Sequence, residues 1–511
     1  MKLVSVDVGT TSCKAGLFDG DGAPLRIASR PTPTRTTGDG AAYYAPDELW
    51  EAVCAALREA VADVPGAEIA VVGVTSMAES GVVIGRTSGA ARSDMLPWFD
   101  NRAAAQAEWL SRQDEPLARF VKTGLHPGPK VSLAKLLWLL RRDPAALDGG
   151  VWLSAADYIV FRLTGALATD YSLAGRTFAF RIDRREWDHD WVRGLGLPPD
   201  LFPPARPSGE PAGRVHAGGS AQSGLPVGAP VAVAGHDHLC AALGVGAVTE
   251  RQAFDSMGTA EVLLGALERR DLTRAEFESG LSFGAHVVPE RGYWLGGSMS
   301  GGSVEWLRTL LGSPPISYRQ LDDLLAAADE APTEILYYPY LLGGASSSLN
   351  QRLTMARAAF VGLGKQHGQA DLLKAVLQGT AYEMERIRRT AEQLTGAPIE
   401  RALAAGGGTR NRLWMQIKAD VSNCVYEVPP LSDVTLLGAA MIAGVGAGLF
   451  AGVDEAVAAL APPNAGIYRP DAGRHRRHVA LYEEGYLPLM TSLNAYYALL
   501  EKRPYHAHDS A

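Results

Sequence analysis

The feature that most constrains the fold is a strand-turn-strand pattern that occurs twice, once in each half of the chain. Near the N-terminus, an apolar strand carrying Asp7 leads through Gly9-Thr-Thr-Ser into a returning strand that ends at Asp19. The segment Gln252–Gly265 repeats the same order of strand, acidic residue, Gly-Thr turn and returning strand. Each copy leads into helices and further apolar strands, so the repeat predicts two similar α/β lobes with a cleft between them.

Length and composition support two lobes and limit the classes of partner. The chain has 511 residues, which exceeds the size at which a single core keeps growing. The boundary falls between Val245 and Arg251, which predicts lobes at 1–246 and 247–490 and a tail at 491–511, frayed after Glu501. The net charge of −8 and the lack of a basic stripe argue against a nucleic-acid partner. Four separated cysteines without a CxxC pair, and an N-terminus that goes directly into a strand, indicate reduced thiols and a cytoplasmic location.

One apolar stretch raises the question of a membrane span. Leu436–Val453 carries no charge and is nearly long enough to cross a bilayer. Glycine and alanine dominate it, however, and large apolar residues are few. A buried helix followed by a glycine-rich turn is therefore favoured, and no membrane partner is expected.

A single carboxylate, Asp237, follows the apolar strand that begins at Pro230, and it stands between His236 and His238. A carboxylate held at a strand-to-helix turn can take a proton from a bound hydroxyl. The alternative is a metal site of a hydrolase, because a His-x-His pair on a strand points both rings the same way. The other histidines lack a spacing that would complete a metal shell. We therefore favour Asp237 as a general base, with the two histidines shaping a substrate pocket.

Three glycine-containing turns have the composition of phosphate or nucleotide sites. They are the first turn (Gly9, Thr10, Thr11), its repeat (Gly258, Thr259) and a later glycine run (Gly407, Gly408, Asn411). Glycine lets the backbone approach a phosphate closely, N–H groups and hydroxyls donate to its oxygens, and Lys14 adds positive charge. The later run precedes a helix, whose N–H groups point toward an anion. Asp7, acidic beside an anion site, fits an outer-sphere partner of Mg²⁺; the alternative for the first turn is a simple hairpin.

A further group of residues has the composition of a sugar site. Its members are Met77 and Glu79, which follow a buried strand, and Trp98, Asp100 and Arg102 of the segment Pro97–Arg102. Sugar sites combine an aromatic platform for the C–H face with charged groups for the hydroxyls. The alternatives are a local Asp100–Arg102 ion pair and, for Glu79, a charge at a helix N-terminus. Together with the phosphate turns, the group predicts ATP-dependent phosphoryl transfer to a sugar-like hydroxyl.

This ordered series of motifs resembles the FGGY carbohydrate kinases, which include glycerol, xylulose, gluconate and fuculose kinases. The resemblance is colinear from Val4 to Leu449, and four more segments carry it: Ser132–Leu139, Asp157–Gly165, Ala358–Leu363 and Asp371–Gln378. It implies two ribonuclease-H-like lobes of the actin type around an ATP cleft, with ATP and Mg²⁺ as cofactors. It also implies that the two Gly-Thr turns bind phosphates, that the later glycine run lies beside adenosine, and that Asp237 is the base. It is compatible with a homodimer.

The sequence departs from the family pattern where the acceptor would bind. Xylulose kinases usually show Met-His-Gly where this chain has Met77-Ala78-Glu79, and glycerol kinases usually show Arg-Glu, of which Glu79 is present. The segment Gly343–Leu349 also lacks the charged loop that is common in the family. The first expectation is a small ketose, a pentulose or hexulose of the xylulose-kinase type. The alternatives are a polyol or glycerol acceptor, or a non-catalytic sugar-sensing protein of the same fold.

Overall fold

A computed structural model describes residues 1–326, 329–343, 348–350, 356–463 and 465–502. The strands of the N-terminal half are β1 (Lys2–Val8), β2 (Ser12–Asp19), β3 (Pro24–Pro31), β4 (Thr34–Thr36), β5 (Ala42–Tyr44), β6 (Ile69–Ser76), β7 (Gly81–Gly85), β8 (Gly150–Ser154), β9 (Thr169–Asp170), β10 (Phe180–Arg181), β11 (Glu186–Trp187), β12 (Ala205–Arg206), β13 (Pro211–Arg214) and β14 (Pro230–His236). Its helices are α1 (Pro46–Ala60), α2 (Ala104–Leu110), α3 (Pro116–Thr123), α4 (Ser132–Arg142), α5 (Ala155–Thr164), α6 (Tyr171–Gly175), α7 (His189–Gly194), α8 (Ala217–Ser223) and α9 (Asp237–Gly244).

The C-terminal half has the same alternation of strands and helices. Its strands are β15 (Gln252–Met257), β16 (Glu261–Glu268), β17 (Ser282–Ala285), β18 (Arg291–Ser298), β19 (Leu336–Tyr338), β20 (Ala359–Val361), β21 (Arg401–Ala405), β22 (Val425–Val428) and β23 (Gly466–Tyr468). Its helices are α10 (Arg274–Ser279), α11 (Ser300–Leu310), α12 (Tyr318–Ala326), α13 (Gln369–Thr395), α14 (Arg412–Ser422), α15 (Val434–Gly446), α16 (Val453–Leu460), α17 (Ala472–Ala480) and α18 (Leu487–Lys502).

The two halves contain large sheets with the same topology. The first sheet has the order β3-β2-β1-β6-β14-β13, which corresponds strand by strand to β18-β16-β15-β21-β22-β23 of the second, where β17 is an additional edge strand. In each, the leading strand pairs antiparallel with its hairpin partner and parallel with a later strand: β1 with β2 and β6, and β15 with β16 and β21. The repeated order confirms the predicted duplication, and the two lobes have the ribonuclease-H-like arrangement that the resemblance implied.

Apolar side chains project from both faces of the first sheet, and helices therefore cover both faces. Val4, Val6 and Val74 pack in one cluster with α1 and α5. Leu3 and Val71 pack in another, which contains α9, α15 and strands of the second sheet. The sheet is therefore a central layer, and one of its faces is joined to the other lobe through α9 and α15.

Helices α9 and α15 cross between the lobes at very close range. A Cβ at Gly438 would lie 1.7 Å from the carbonyl oxygen of Cys240, and one at Gly244 would lie 2.1 Å from that of Val434. Helix α15 contacts β1, β6 and β14, which are strands of the first sheet. The lobe predicted at 247–490 thus contributes a helix that packs on the N-terminal lobe. Only glycine allows this crossing, because any side chain would displace backbone atoms.

Two expectations about the C-terminal half are resolved by these elements. The apolar stretch that begins at Leu436 forms the buried helix α15 and the turn after it, and among the described residues no helix is long and apolar enough to cross a membrane. The predicted tail at 491–511 begins within α18, which continues to Lys502; Tyr497 of this helix is buried, and its hydroxyl donates to the carbonyl of Arg357 over 2.6 Å. Residues 503–511, with the predicted fraying, lie outside the described residues, as does most of the loop at 343–349.

Candidate active site

The first predicted phosphate turn and Asp237 lie at the same edge of the first sheet. The strand register places Val8, Ser76 and His236 side by side on β1, β6 and β14. Because these strands are parallel, the residues that follow them emerge at one edge, which is where α/β sheets bind ligands. Those residues include Gly9 and Asp237. Parallel pairing thus brings together a turn and an acid that are more than 200 positions apart in the sequence.

The side chains of the first turn are held by neighbours from other segments. Trp98 Nε1 donates to Thr10 Oγ1 over 2.9 Å, and the Thr10 hydroxyl lies 3.6 Å from the Met77 sulfur. Lys14 Nζ is 2.6 Å from Asp433 Oδ1, directly before α15. The Lys14 ammonium, which the sequence analysis assigned to a phosphate, is therefore already paired with a carboxylate.

Asp237 is the first residue of α9. Its Oδ1 accepts a hydrogen bond from the backbone N–H of His238 over 2.7 Å and lies 3.3 Å from His236 Nε2. Burial raises the pKa of Asp237 above its ordinary value; the His238 N–H opposes the rise, and the negative charge of Glu79 adds to it. About a quarter of the side chain, 24%, is still exposed. Asp237 therefore has the accessibility and the raised pKa of a general base.

Asp7 is a buried carboxyl whose charged form is disfavoured by its protein surroundings. Burial raises the pKa of Asp7; the charge of Asp237 raises it further, Lys14 lowers it and Asp433 raises it. Its Oδ1 is buried and has no hydrogen-bond partner among the described residues. Neighbouring carboxylates with an unpartnered oxygen fit a hard divalent cation such as Mg²⁺, which takes oxygen ligands.

Glu79 is fixed from both its backbone and its side chain. Its backbone has φ 60°, a left-handed conformation that is uncommon outside glycine, and its carbonyl accepts from Lys135 Nζ over 2.7 Å. Arg176 Nε donates to Glu79 Oε1 over 2.9 Å, and Nη2 contacts the same oxygen. Burial alone would raise the pKa of Glu79, but the charges of Arg176 and Lys130 hold it below its ordinary value. Glu79 is thus an ionised hydrogen-bond acceptor and not a helix N-terminal charge.

The other predicted sugar-site residues divide into two groups. Trp98 reaches the first turn through Thr10, as described above. Asp100 and Arg102 instead pair with each other, with Arg102 Nε 2.6 Å from Asp100 Oδ1, and Asp100 Oδ2 accepts from the N–H of Ala42 over 2.8 Å. The Arg102 guanidinium lies over the Trp138 ring, 5.1 Å from its centroid. Asp100 and Arg102 therefore form the local ion pair of the alternative interpretation.

The second turn and the later glycine run line one cavity in the C-terminal lobe. Gly258 and Thr259 connect β15 to β16, and the Thr259 carbonyl accepts from the N–H of Gly302 at the start of α11 over 2.9 Å. A cavity of about 780 Å³ extends from this turn to the glycine run and the Trp414 side chain; its lining includes Gly407, Gly408 and Asn411. Residues that the sequence assigned to phosphate and to adenosine thus share one cavity of a size that suits a nucleotide.

A buried ion triad lies beneath the second turn. Asp255 and Glu261, on either side of the turn, are fully buried, and Lys418 of α14 lies between them. Lys418 Nζ is 3.0 Å from Asp255 Oδ2 and also contacts Glu261 Oε1. The triad ties both strands of the hairpin to α14, and so it fixes the base of the turn.

The metal-site alternative at Asp237 has geometric support but unfavourable electrostatics. Among the described residues, ligand atoms of His236, Asp237 and His238 lie within 4.8 Å of one another. The prediction that both imidazole rings lie on one strand and point the same way is wrong. Strand β14 ends at His236, and the planes of the His236 and His238 rings stand at 89° to each other. Burial lowers the pKa of both histidines and the charge of Arg176 lowers it further. That charge and the positive end of the α9 dipole both disfavour a cation, so we interpret the histidines as neutral groups that can bind a substrate.

Sequence reasoning missed the cations around Glu79. Arg176 and Lys135 are buried, and burial lowers the pKa of Lys135 to about 7. Both stand within apolar runs, Leu173–Phe180 and Ser132–Leu139. A charged residue within such a run is rarely buried without a partner. This rule could have shown from the sequence that Arg176 and Lys135 need an acidic partner, although it does not say which acid that is.

Comparisons with known proteins agree with this arrangement. The family described as "FGGY family of carbohydrate kinases" matches with its N-terminal domain over residues 2–244 and its C-terminal domain over residues 254–447. A glycerol kinase of Citrifermentans bemidjiense is 32% identical over 463 residues, which cover 88% of this chain and 90% of that protein. The xylulose kinase structure of Rhodospirillum rubrum superposes with a TM-score of 0.87 at 26% identity, covering 98% of this chain and all of the other. The ADP-bound glycerol kinase of Plasmodium falciparum has the same fold, with a TM-score of 0.84 at 20% identity over 95% of this chain and 97% of that one.

Proposed function

Because the chain belongs to the FGGY family of carbohydrate kinases, which transfer phosphate to an alcohol group, we propose that it transfers the γ-phosphate of ATP to a hydroxyl of a small ketose. The observation that carries the proposal is the position of Asp237. It begins α9 at the sheet edge that also carries the first turn, and its pKa is raised. A base at that position serves an acceptor that lies between the sheet edge and a nucleotide.

The proposed mechanism assigns one task to each group. Adenosine lies beside the glycine run at 407 and 408, and the two Gly-Thr turns donate N–H groups and hydroxyls to the phosphates. The acceptor donates a hydroxyl proton to Asp237 as its oxygen bonds to the γ-phosphorus, and the bond from that phosphorus to the β,γ-bridging oxygen breaks, so that ADP leaves. Glu79 and the neutral histidines hold the other hydroxyls of the acceptor. Asp7 would hold Mg²⁺, which neutralises phosphate charge when it is bound.

The polar groups near Asp237 favour an acceptor larger than glycerol. Glu79, Arg176, His236 and His238 lie close enough to Asp237 or to one another to form bonds or to shift pKa values. Glu79 and Arg176 already bond to each other, but Nδ1 of the buried His236 has no hydrogen-bond partner among the described residues. A buried polar group without a partner is costly, and glycerol, which gives one of its three hydroxyls to Asp237, has few left for such groups. A pentulose or hexulose offers more hydroxyls as partners.

Glycerol is the second candidate, and one observation favours it. The sequence lacks the arginine that glycerol kinases usually carry before the glutamate, since position 78 is alanine. Arg176 brings a guanidinium to Glu79 from a different segment. The absence at position 78 therefore argues less strongly against a glycerol-type acceptor than the sequence alone suggested.

An ADP-release screen would test the acceptor class. We expect ketopentoses and ketohexoses to give the highest kcat/KM in the presence of Mg²⁺ and ATP, with glycerol and other polyols at least tenfold lower, because a site built for hydroxyl partners discriminates strongly. Glycerol as the best acceptor would contradict the ketose assignment, and ADP formation without Mg²⁺ would contradict the requirement for the metal.

A homodimer and a cytoplasmic location stay predictions, which sedimentation and cell fractionation would test.

The pH dependence of kcat should report Asp237. The base must be ionised, so kcat is expected to rise with pH and to level off above the raised pKa of Asp237. The negative charge of Glu79 contributes to that rise, so Glu79→Gln should move the acidic limb of the profile to lower pH. The profile is measured at saturating acceptor, because the substitution also weakens acceptor binding. An acidic limb that stays in place or moves to higher pH would contradict the assignment.

A further inference from the structure

A chain of hydrogen bonds runs from the acceptor side of the N-terminal lobe to the C-terminal lobe. Arg176 Nε donates to Glu79 Oε1 over 2.9 Å, and Arg176 Nη1 donates to the Tyr293 hydroxyl over 3.3 Å. Arg176 directly follows α6 in the first lobe, whereas Tyr293 stands on β18 in the second sheet. One guanidinium therefore contacts both the carboxylate assigned to the acceptor and a residue of the opposite lobe.

The three groups are buried, so water competes little for the contacts between them. The exposed fractions are 3% for Arg176, 1% for Tyr293 and 8% for Glu79. A buried charge is costly unless it is paired and hydrogen-bonded, and the guanidinium presents its donors in a rigid planar fork. Lys135 holds the Glu79 carbonyl from the other side. A shift of the Glu79 carboxylate is therefore transmitted to the Arg176 fork and on to Tyr293.

Tyr293 is held on a regular part of the second sheet. It pairs with Gly284 across β17 and β18, and its ring occupies the space where a Cβ of Gly284 would lie, 2.6 Å from ring atom Cε1. Helix α6, which precedes Arg176, packs against β17. The hydroxyl of Tyr293 thus moves with the C-terminal lobe, and its bond with Arg176 depends on how closely the lobes approach at this point.

We propose that Arg176 is a positioning residue that couples occupation of the acceptor site to the approach of the C-terminal lobe, through Glu79 on one side and Tyr293 on the other. The inference rests on the proposed function, since it takes Glu79 to hold the acceptor. An acceptor hydroxyl that donates to Glu79 fixes the carboxylate, and hence the guanidinium, in the orientation that Tyr293 accepts. Closure then excludes water, which would otherwise compete with the acceptor for the γ-phosphate.

The experiment compares two variants and their combination. Tyr293→Phe keeps the ring against Gly284 and removes only the hydroxyl, so we expect the KM for the acceptor to rise about threefold to tenfold and the KM for ATP to stay within about twofold. Arg176→Lys keeps the charge but loses the fork, and it should raise the acceptor KM more than about tenfold. The double variant should be no worse than Arg176→Lys alone, because both substitutions remove one link.

Tyr338→Phe is the matched control, because its buried hydroxyl donates to the Tyr486 carbonyl over 2.9 Å within one lobe; its acceptor KM should equal that of the wild type. An unchanged acceptor KM in Tyr293→Phe, or additive effects in the double variant, would overturn the inference. Failure of the proposed function would show differently, as no ADP formation by the wild type with any acceptor. Small-angle scattering would then decide the inference: compaction with sugar and a non-hydrolysable ATP analogue in the wild type but not in Tyr293→Phe supports it, and any other pattern overturns it.

Discussion

Asp237→Asn is expected to lower kcat by about 10²–10⁴-fold, the range that general base catalysis contributes. Asparagine matches the shape of aspartate but cannot accept the hydroxyl proton. The position at the start of α9, partly exposed and beside two neutral histidines, makes Asp237 the group best placed for that task. The measurement is steady-state ADP release at saturating ATP and saturating acceptor.

ATP affinity separates loss of the base from loss of the fold in this variant. The cavity at the glycine run and the second turn lies in the other lobe, so calorimetry should give an ATP Kd within a few-fold of the wild-type value. Removal of one negative charge beside Asp7 also lowers the pKa of Asp7, which favours its ionised form. A turnover within tenfold of the wild type would show that Asp237 is not the base.

Lys418→Met is expected to destabilise the C-terminal lobe by about 3–5 kcal/mol, the cost of removing one partner from a buried ion pair. Methionine fills the space of the lysine stem, but Asp255 and Glu261 then face each other without a cation. Burial already raises the pKa of Glu261 to about 8, and the charge of Asp255 contributes. A protonated carboxyl costs less to bury, so the loss should be smaller at pH 5 than at pH 8. Urea unfolding at both values measures it.

Lys374→Met is the matched control for this prediction. Lys374 Nζ lies 2.6 Å from Asp329 Oδ1, but the Asp329 side chain is 78% exposed, so the pair is worth less than about 1 kcal/mol. Because the triad fixes both strands of the second turn, Lys418→Met should also raise the KM for ATP, whereas Lys374→Met should not. Equal stability losses in the two variants would contradict the role assigned to the triad.

The sequence predicted the fold well because the duplicated motif is local. Apolar runs of strand length, the Gly-Thr turns and the acids before them are read directly from neighbouring residues. Two copies in one chain then leave few topologies, and the structure has the same strand order in both lobes. The helix at Leu436 was also predictable, because its small residues argue against a membrane span.

The sequence did not predict which charges pair. Lys14 was assigned to a phosphate and is bonded to Asp433, 419 positions away. Asp100 and Arg102, assigned first to a sugar, are bonded to each other, as the alternative interpretation had it. Arg176 was not singled out, yet it reaches Glu79 across 97 positions. Residue type shows that a charge needs a partner, but any acid in the chain satisfies that requirement until the fold brings one close.

The sequence by itself therefore determined the two lobes, the two Gly-Thr turns and the strand-to-helix turn that carries Asp237, because backbone propensity and strand periodicity act between near neighbours. Only the tertiary structure decided the surroundings of that acid. The parallel register of β1, β6 and β14 aligned Asp237 with the first turn, and the contact between lobes placed Tyr293 against Arg176. Such contacts depend on the packing of distant segments. A buried charge is no longer solvated by water, so it pairs with whichever partner the fold brings close.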